Sequence, residues 1–241
     1  MNAAPHPTPT LATVAGPKQA RSERTLLRLL DAAEALIAEG GPSGLSIPEV
    51  ARRANSSVGG FYARFRDKNE LLRALEERFF LEVTARLEAL ADARRWENAS
   101  VEEIVAAAVH ELVSVTEQRR ELIRATLFRL TRDTALREHA VGFRQRAAQR
   151  MSAVLLARAP AVSHPDPAVA LDLAVQAAFA LMQQHVLLDG TQAAGRTLTT
   201  TELEREISRL VLAYVGLGDD AGHRREPRTA LATRRTNPRR T

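Results

Sequence analysis

An all-α fold follows from three features of the sequence. Apolar residues recur at spacings of three and four with little interruption from residue 20 to residue 216. Helix-start signatures, Ser or Thr followed three residues later by Glu, punctuate that stretch. No segment there alternates apolar and polar residues as a half-buried strand does, and no internal repeat is present. The composition is globular, with 45% hydrophobic and 26% charged residues in 241. Aromatics make up only 4%, so the core rests on Leu, Val and Ala. Cysteine is absent, which excludes disulfides and thiolate metal sites and suits a cytoplasmic location. No apolar run approaches the roughly 20 residues that cross a bilayer. Met1 to Pro17 lacks the charged n-region of a secretory signal, so no membrane partner is expected.

The elements are predicted in order as follows. Residues 1–20, rich in Pro, Ala and Thr, form a flexible arm. A first helix spans about Ser22 to Glu39, with Leu26, Leu29, Leu30, Ala33, Leu36 and Ile37 on one face, and stops at Gly40-Gly41. A second, short helix is started by a capping box of Ser46 and Glu49, with Pro48 harmless in its first turn, and ends near Ala54. Asn55 takes the turn, because Asn tolerates the left-handed conformation. Ser57 caps a third helix through Phe65. A fourth, from Lys68 to about Leu90, points Leu71, Leu72, Leu75, Phe79, Val83 and Leu87 inward. Five more helices follow. One runs from a Ser100–Glu103 capping box to about Val115, and others span about 119–131, 134–158 and 168–188. The last is capped by Thr201 and Glu204. Residues 217–241 form a disordered basic tail.

Net charge is +5, and its placement matters more than its size. From Lys18 to Arg73 ten Lys/Arg face seven Asp/Glu, and residues 216–241 hold seven Arg against three acids. The remainder is net negative. Basic ends on a near-neutral middle suit contact with a polyanion through limited regions.

Helix, turn, helix is a common packing, but the local sequence here is specific. Leu45 to Leu72 reads LSIPEVARRANSSVGGFYARFRDKNELL. Ser46, Val50-Ala51, Ala54, Ser57, Gly59, Phe61-Tyr62, Phe65, Lys68, Leu71 and Leu72 closely resemble the DNA-binding segment of TetR-type (tetracycline-repressor-like) transcriptional regulators. The resemblance covers roughly residues 24–75. It implies a three-helix helix-turn-helix domain over 21–67, joined to a ligand-binding and dimerisation bundle over 68–216. The expected partners are double-stranded DNA with a near-palindromic operator, a small-molecule effector and a second copy of the chain. The expected function is a ligand-released repressor, not an enzyme.

The residues support these assignments one by one. Val50, Ala51, Ala54, Phe61 and Phe65 fall on inward faces. Val58, Gly59, Gly60, Tyr62, Ala63 and Arg64 are left facing the major groove, beside Ser46, Pro48 and Ser57. The resemblance implies phosphate contacts for Tyr62 and Lys68, and Lys68 sits at a helix N-terminus, which favours anions. Two positions depart from the family pattern. Asn55-Ser56 stands where Gly-Val is frequent, and Gly60 replaces a commonly larger polar residue. Direct readout then falls on Arg64, Pro48, Val58 and backbone groups. Lys18, Arg21 and Arg24 could brush DNA as an arm.

Polar residues interrupting apolar faces of the bundle are the ligand candidates: His110, Gln149, Gln176, Gln183, Gln184 and His185, with Phe128, Phe143 and Phe179 as pocket wall or core. Few charges lie on these faces, so the effector is expected to be mainly apolar. Leu203, Ile207, Leu210, Val211 and Tyr214 form one stripe on the last helix and are the dimer candidates. The fourth helix, joining the two parts, is the expected link of the switch.

No catalytic constellation, cofactor motif or metal site emerges. The six His show no H-E-x-x-H spacing, and Gly216-Leu217-Gly218 follows a helix rather than a strand. Asn98-Ala99-Ser100 fits helix capping better than glycosylation. Two other readings stay open at this point: an architectural DNA binder without sequence preference, and a helical enzyme with a vestigial DNA-binding segment.

Overall fold

Nine α-helices form among residues 17–157 and 164–216, which are the residues the computed structural model describes. Most of the predicted arm (1–16) and the tail (217–241) lie outside them. Helix α1 runs Pro17–Gly40, more than a turn longer at its start than predicted, so residues 17–20 are helix rather than arm. Gly41 ends it at φ 65°, where a side chain would be strained. A 3₁₀ turn, Pro42–Gly44, leads into α2, Ile47–Arg53. The capping box of α2 is only half formed. Ser46 Oγ accepts the Glu49 N–H at 3.4 Å, but the Glu49 carboxylate takes two bonds from Arg52 instead of turning back. Asn55 holds the turn at φ 49°.

Helix α3, Val58–Tyr62, stops three residues short of the predicted Phe65, with Ala63 as its C-cap. Asp67 caps α4, Lys68–Leu90. The Ser100–Glu103 box is complete and opens α5, Val101–Gln118. Then come α6 (Arg120–Leu130), α7 (Thr134–Leu156) and α8 (Pro167–Leu187). An unpredicted hairpin pairs β1, Gln192–Ala193, with β2, Arg196–Thr197.

Helix α9, Thr200–Val215, is capped by Thr199 and Glu202, two residues before the predicted pair. The hairpin decides this. It presents Arg196, which binds the Glu202 carboxylate at 2.7 and 2.9 Å, while the Thr199 N–H donates to the same group. Arg196 first, then the Thr199 N–H and hydroxyl, hold the Glu202 carboxyl down to about 2. Glu204 pairs with His110 at 3.2 Å instead.

Two large cores result. In the first, Leu29, Ala33 and Ile37 of α1 meet Val50, Phe61, Leu71 and Leu75. Leu122 of α6 enters this core, so α6 as well as α4 ties the N-terminal unit to the bundle. In the second, α5, α7, α8 and α9 bury Ile104, Val113, Leu171, Ile207 and Val215. No helix of the described residues is long and apolar enough to cross a membrane.

The α9 stripe corrects the dimer expectation. Leu203, Ile207 and Val211 are 2%, 1% and 8% exposed and pack into the chain's own bundle. The buried row proceeds by fours to Val215, leaving Leu210 and Tyr214 on its flank, 44% and 40% exposed. On α4, Phe80 rather than Phe79 is fully buried, and Leu87 is half-buried.

Candidate nucleic-acid interface and adjoining cavity

Helix α3 is too short, and too rich in glycine, to persist alone. Phe61 anchors it from below, 0% exposed and 5.3 Å from the Phe65 ring. Ser57 caps it, its Oγ accepting the Gly60 N–H at 2.9 Å. Its other side is open. Val58 and Tyr62 are 41% and 54% exposed, and Gly59, Ser46, Pro48, Ser57 and Ala63 are exposed too. The two glycines differ. A Cβ on Gly59 would meet only Ser57 Oγ at 3.8 Å, so that position faces open space. A Cβ on Gly60 would lie 2.5 Å from Ser56 Oγ, so Gly60 serves the turn before α3 more than any approach to DNA.

Two basic residues are not free as expected. Arg64 donates to Gly60 O at 3.0 Å and to Ser22 at 3.4 Å, pinning the end of α3 to α1. Without DNA, then, its guanidinium is held along α1 and α3 rather than extended outward. Lys68 Nζ donates to Pro42 O at 3.0 Å and holds the 3₁₀ turn. Arg52 and Arg53 pair with Glu49 and Glu39. The hydrogen bond from Arg53 is the main cause that lowers the Glu39 carboxyl, and Arg52 does the same for Glu49.

Residues 29–75 match the family model of the bacterial regulatory proteins of the tetR family. This segment is therefore similar to the DNA-binding unit of TetR-type transcriptional regulators. Solved structures share its fold over most of its length. A Mesorhizobium loti protein assigned to the TetR family is 20% identical, covers 82% of this chain and 98% of its own, and superposes with a TM-score of 0.65. PfmR, a TetR-family transcriptional regulator from Thermus thermophilus, is 18% identical over 77% of this chain and 97% of its own, TM-score 0.57. The transcriptional regulator FadR from Bacillus subtilis, solved in complex with stearoyl-CoA, is 20% identical over 78% and 98%, TM-score 0.55. No curated protein matches the sequence significantly.

Behind the helix-turn-helix unit, the bundle holds a partly open cavity of about 230 Å³. Its wall is largely apolar, from Phe79, Phe80, Val83 and Leu87 on α4 through α5 and α6 to Phe143 and Met151 on α7 and Phe179 and Met182 on α8. Rings line one end: Phe80 lies 5.8 Å from Phe143, which lies 6.2 Å from Phe179. This explains why Phe79 and Leu87 are only half-buried.

Of the nine residues proposed for the ligand or the pocket wall, the cavity contains Phe143, Phe179 and Gln183. His110 is exposed beside Glu204, Gln149 and Gln176 are exposed, and Phe128 is 64% exposed. The helical faces that carry them point to solvent. Gln184 is exposed as well, and His185 is a satisfied core residue, its Nε2 2.8 Å from Glu117 and its Nδ1 3.0 Å from Thr191.

Three charged wall residues, Arg86, Glu111 and Arg144, were not legible in the sequence, because each looks like a surface charge in its own helix. Arg86 belongs to a chain of ion pairs. It binds Glu111 and Glu82, Glu82 binds Arg119, and Arg119 binds Glu34 of α1. Arg78 of α4 also reaches Glu34 and Asp31. The cavity wall is thus connected by side chains to the first helix of the DNA-binding unit.

Proposed function

We propose that the protein is a repressor that holds a near-palindromic operator as a two-fold dimer and is released by a mainly apolar small molecule in its cavity. One observation carries this reading: α4 starts at the reading head and, about three turns later, is cavity wall. Helix α6 supports it, with Leu122 in the head's core and Ile123 and Leu127 at the cavity. That the Bacillus subtilis neighbour carries stearoyl-CoA agrees with an apolar chain in such a place. A ligand that prefers the released state needs a coupling of about 1–3 kcal/mol, and operator DNA must weaken ligand binding by the same factor.

On the DNA side, Val58, Gly59 and Tyr62 meet the major groove, flanked by Ser46, Pro48, Ser57 and Ala63, while Lys68 contributes a phosphate contact with its remaining donors. The dimer partner is a second copy seated on α8 and the flank of α9. The outward row of α8, Val169, Leu173, Gln176, Ala180, Gln184 and Leu187, carries no charge, and Leu210 and Tyr214 extend it. Two reading heads then meet successive major grooves about 34–36 Å apart.

Footprinting on DNA flanking the protein's own gene tests this. The expected result is a protected near-palindrome, lost on adding an effector. Protection without sequence preference would instead make it an architectural binder. Leu173→Asp with Leu210→Asp should give a folded monomer by sedimentation, and an intact dimer would refute the interface.

A further inference from the structure

Six residues give the cavity its polar or charged lining: Arg86, Glu111, Thr116, Thr126, Arg144 and Gln183. Four of them are satisfied by the protein. Arg86 pairs with Glu82 and Glu111, and the two threonine hydroxyls donate to carbonyls one turn back. Arg144 and Gln183 have no hydrogen-bond or ion-pair partner among the described residues. Both are half-buried.

Arg144 is an exception among its own kind. Six other half-buried arginines of the bundle, Arg78, Arg86, Arg119, Arg120, Arg124 and Arg129, each hold a carboxylate. A guanidinium loses hydration when partly buried against apolar wall, and an anion restores what it loses. Arg144 and Gln183 both line the cavity, each close in sequence to one of a pair of contacting rings. Arg144 follows Phe143, Gln183 is one turn past Phe179, and those two rings touch at 6.2 Å.

We infer that the effector is an amphipathic anion, an apolar chain filling the cavity and ending in a carboxylate held by Arg144, with the Gln183 amide donating beside it. This rests on the proposed effector role of the cavity and narrows it from any apolar molecule to a chain with an anionic head. The planar fork of arginine donates to both carboxylate oxygens at once, which a point charge does not. The chain's methylenes replace the missing packing against Phe80, Val83 and Met151.

Calorimetry with decanoate, decanol and decylamine tests this on the full-length protein. Decanoate should bind about tenfold or more tighter than decanol. Arg144→Gln should erase that gap and keep decanol binding. Arg144→Glu should reverse the preference toward decylamine, a gain that damage to the fold cannot produce. Equal affinities of decanoate and decanol for the unaltered protein, a gap that survives Arg144→Gln, or no binding of any of the three would overturn the proposal. Operator titrations separate it from the broader reading. If decanol releases operator as well as decanoate, the anion site fails and the apolar effector stands. If decanoate binds through Arg144 but leaves operator affinity unchanged, the site stands and the switch fails.

Discussion

The helix-turn-helix unit and the C-terminal bundle of this protein are both helical, yet they treat polar groups and space in opposite ways. Around α3 nearly every basic side chain has a partner within the unit: Arg64 on Gly60 and Ser22, Lys68 on Pro42, Arg52 on Glu49, Arg53 on Glu39. Phe61 fills its site to 0% exposure. The bundle instead keeps a cavity of about 230 Å³ and leaves Arg144 and Gln183 on its wall without a polar partner among the described residues. A surface that must fit one constant shape, the groove of a duplex, gains from being rigid before binding. A region that must change with its ligand needs unfilled packing and unmatched groups, because only a ligand that binds one state better can shift the balance.

The largest test of this contrast compares two phenylalanines. Phe61→Ala should cost about 3–5 kcal/mol, as for a filled core site. Phe179→Ala, at the wall of an existing cavity, should cost no more than about half as much. Urea denaturation of both variants checks this, and equal losses would mean the bundle is as tightly packed as the head.

The second test lies where the regions join. Glu76 of α4 is 4% exposed and receives Arg129 of α6 at 3.0 Å. Burial, only partly opposed by Arg129, pushes its carboxyl up to about 7. The folded state therefore holds this proton more tightly than the unfolded state does. The stabilisation is fully present below the unfolded value of about 4.3 and is lost as pH rises through about 7. The loss amounts to at most about 4 kcal/mol. Glu76→Gln should remove this part of the pH dependence, seen as a smaller difference between urea midpoints at pH 5 and pH 8. An unchanged difference would show that Arg129 compensates the buried charge in full.

A smaller effect is expected at the cap of α3. Ser57→Ala removes the acceptor for the Gly60 N–H and should cost about 1 kcal/mol, with DNA affinity falling because the exposed end of α3 frays. If only stability falls, α3 is ordered by DNA itself. The smallest effect concerns Lys68. Lys68→Ala should lower the slope of log affinity against log salt by about 1 and weaken binding similarly on all sequences. A loss of stability with the slope unchanged would leave Lys68 as an anchor for the Pro42 carbonyl alone.

Much of the head was legible from sequence because its signals are local. Ser57, Phe61, Tyr62 and Phe65 lie within nine residues, and their faces follow from one short helix and its cap. The order of the nine helices was legible for the same reason, since periodicity and caps act within a turn or two. What failed depended on distant partners. Glu49 could close a box on Ser46 or bind Arg52, and the charge won. Glu202 rather than Glu204 caps α9 because a hairpin brings Arg196 to it.

The effector site shows where sequence alone stops. By itself the sequence determined that the protein is all-helical, that roughly residues 24–75 resemble a TetR-type head, and that the bundle is largely apolar inside. Those properties reside in repeats of three and four residues and in neighbours along the chain. Which apolar face closes on another, and where closure is incomplete, is decided by packing of helices far apart in sequence. Hence Leu203, Ile207 and Val211 turned out to be core, His110 and Gln149 solvent-facing, and Arg144 part of a cavity wall. A cavity is a property of several helices at once, and no single periodic pattern encodes it.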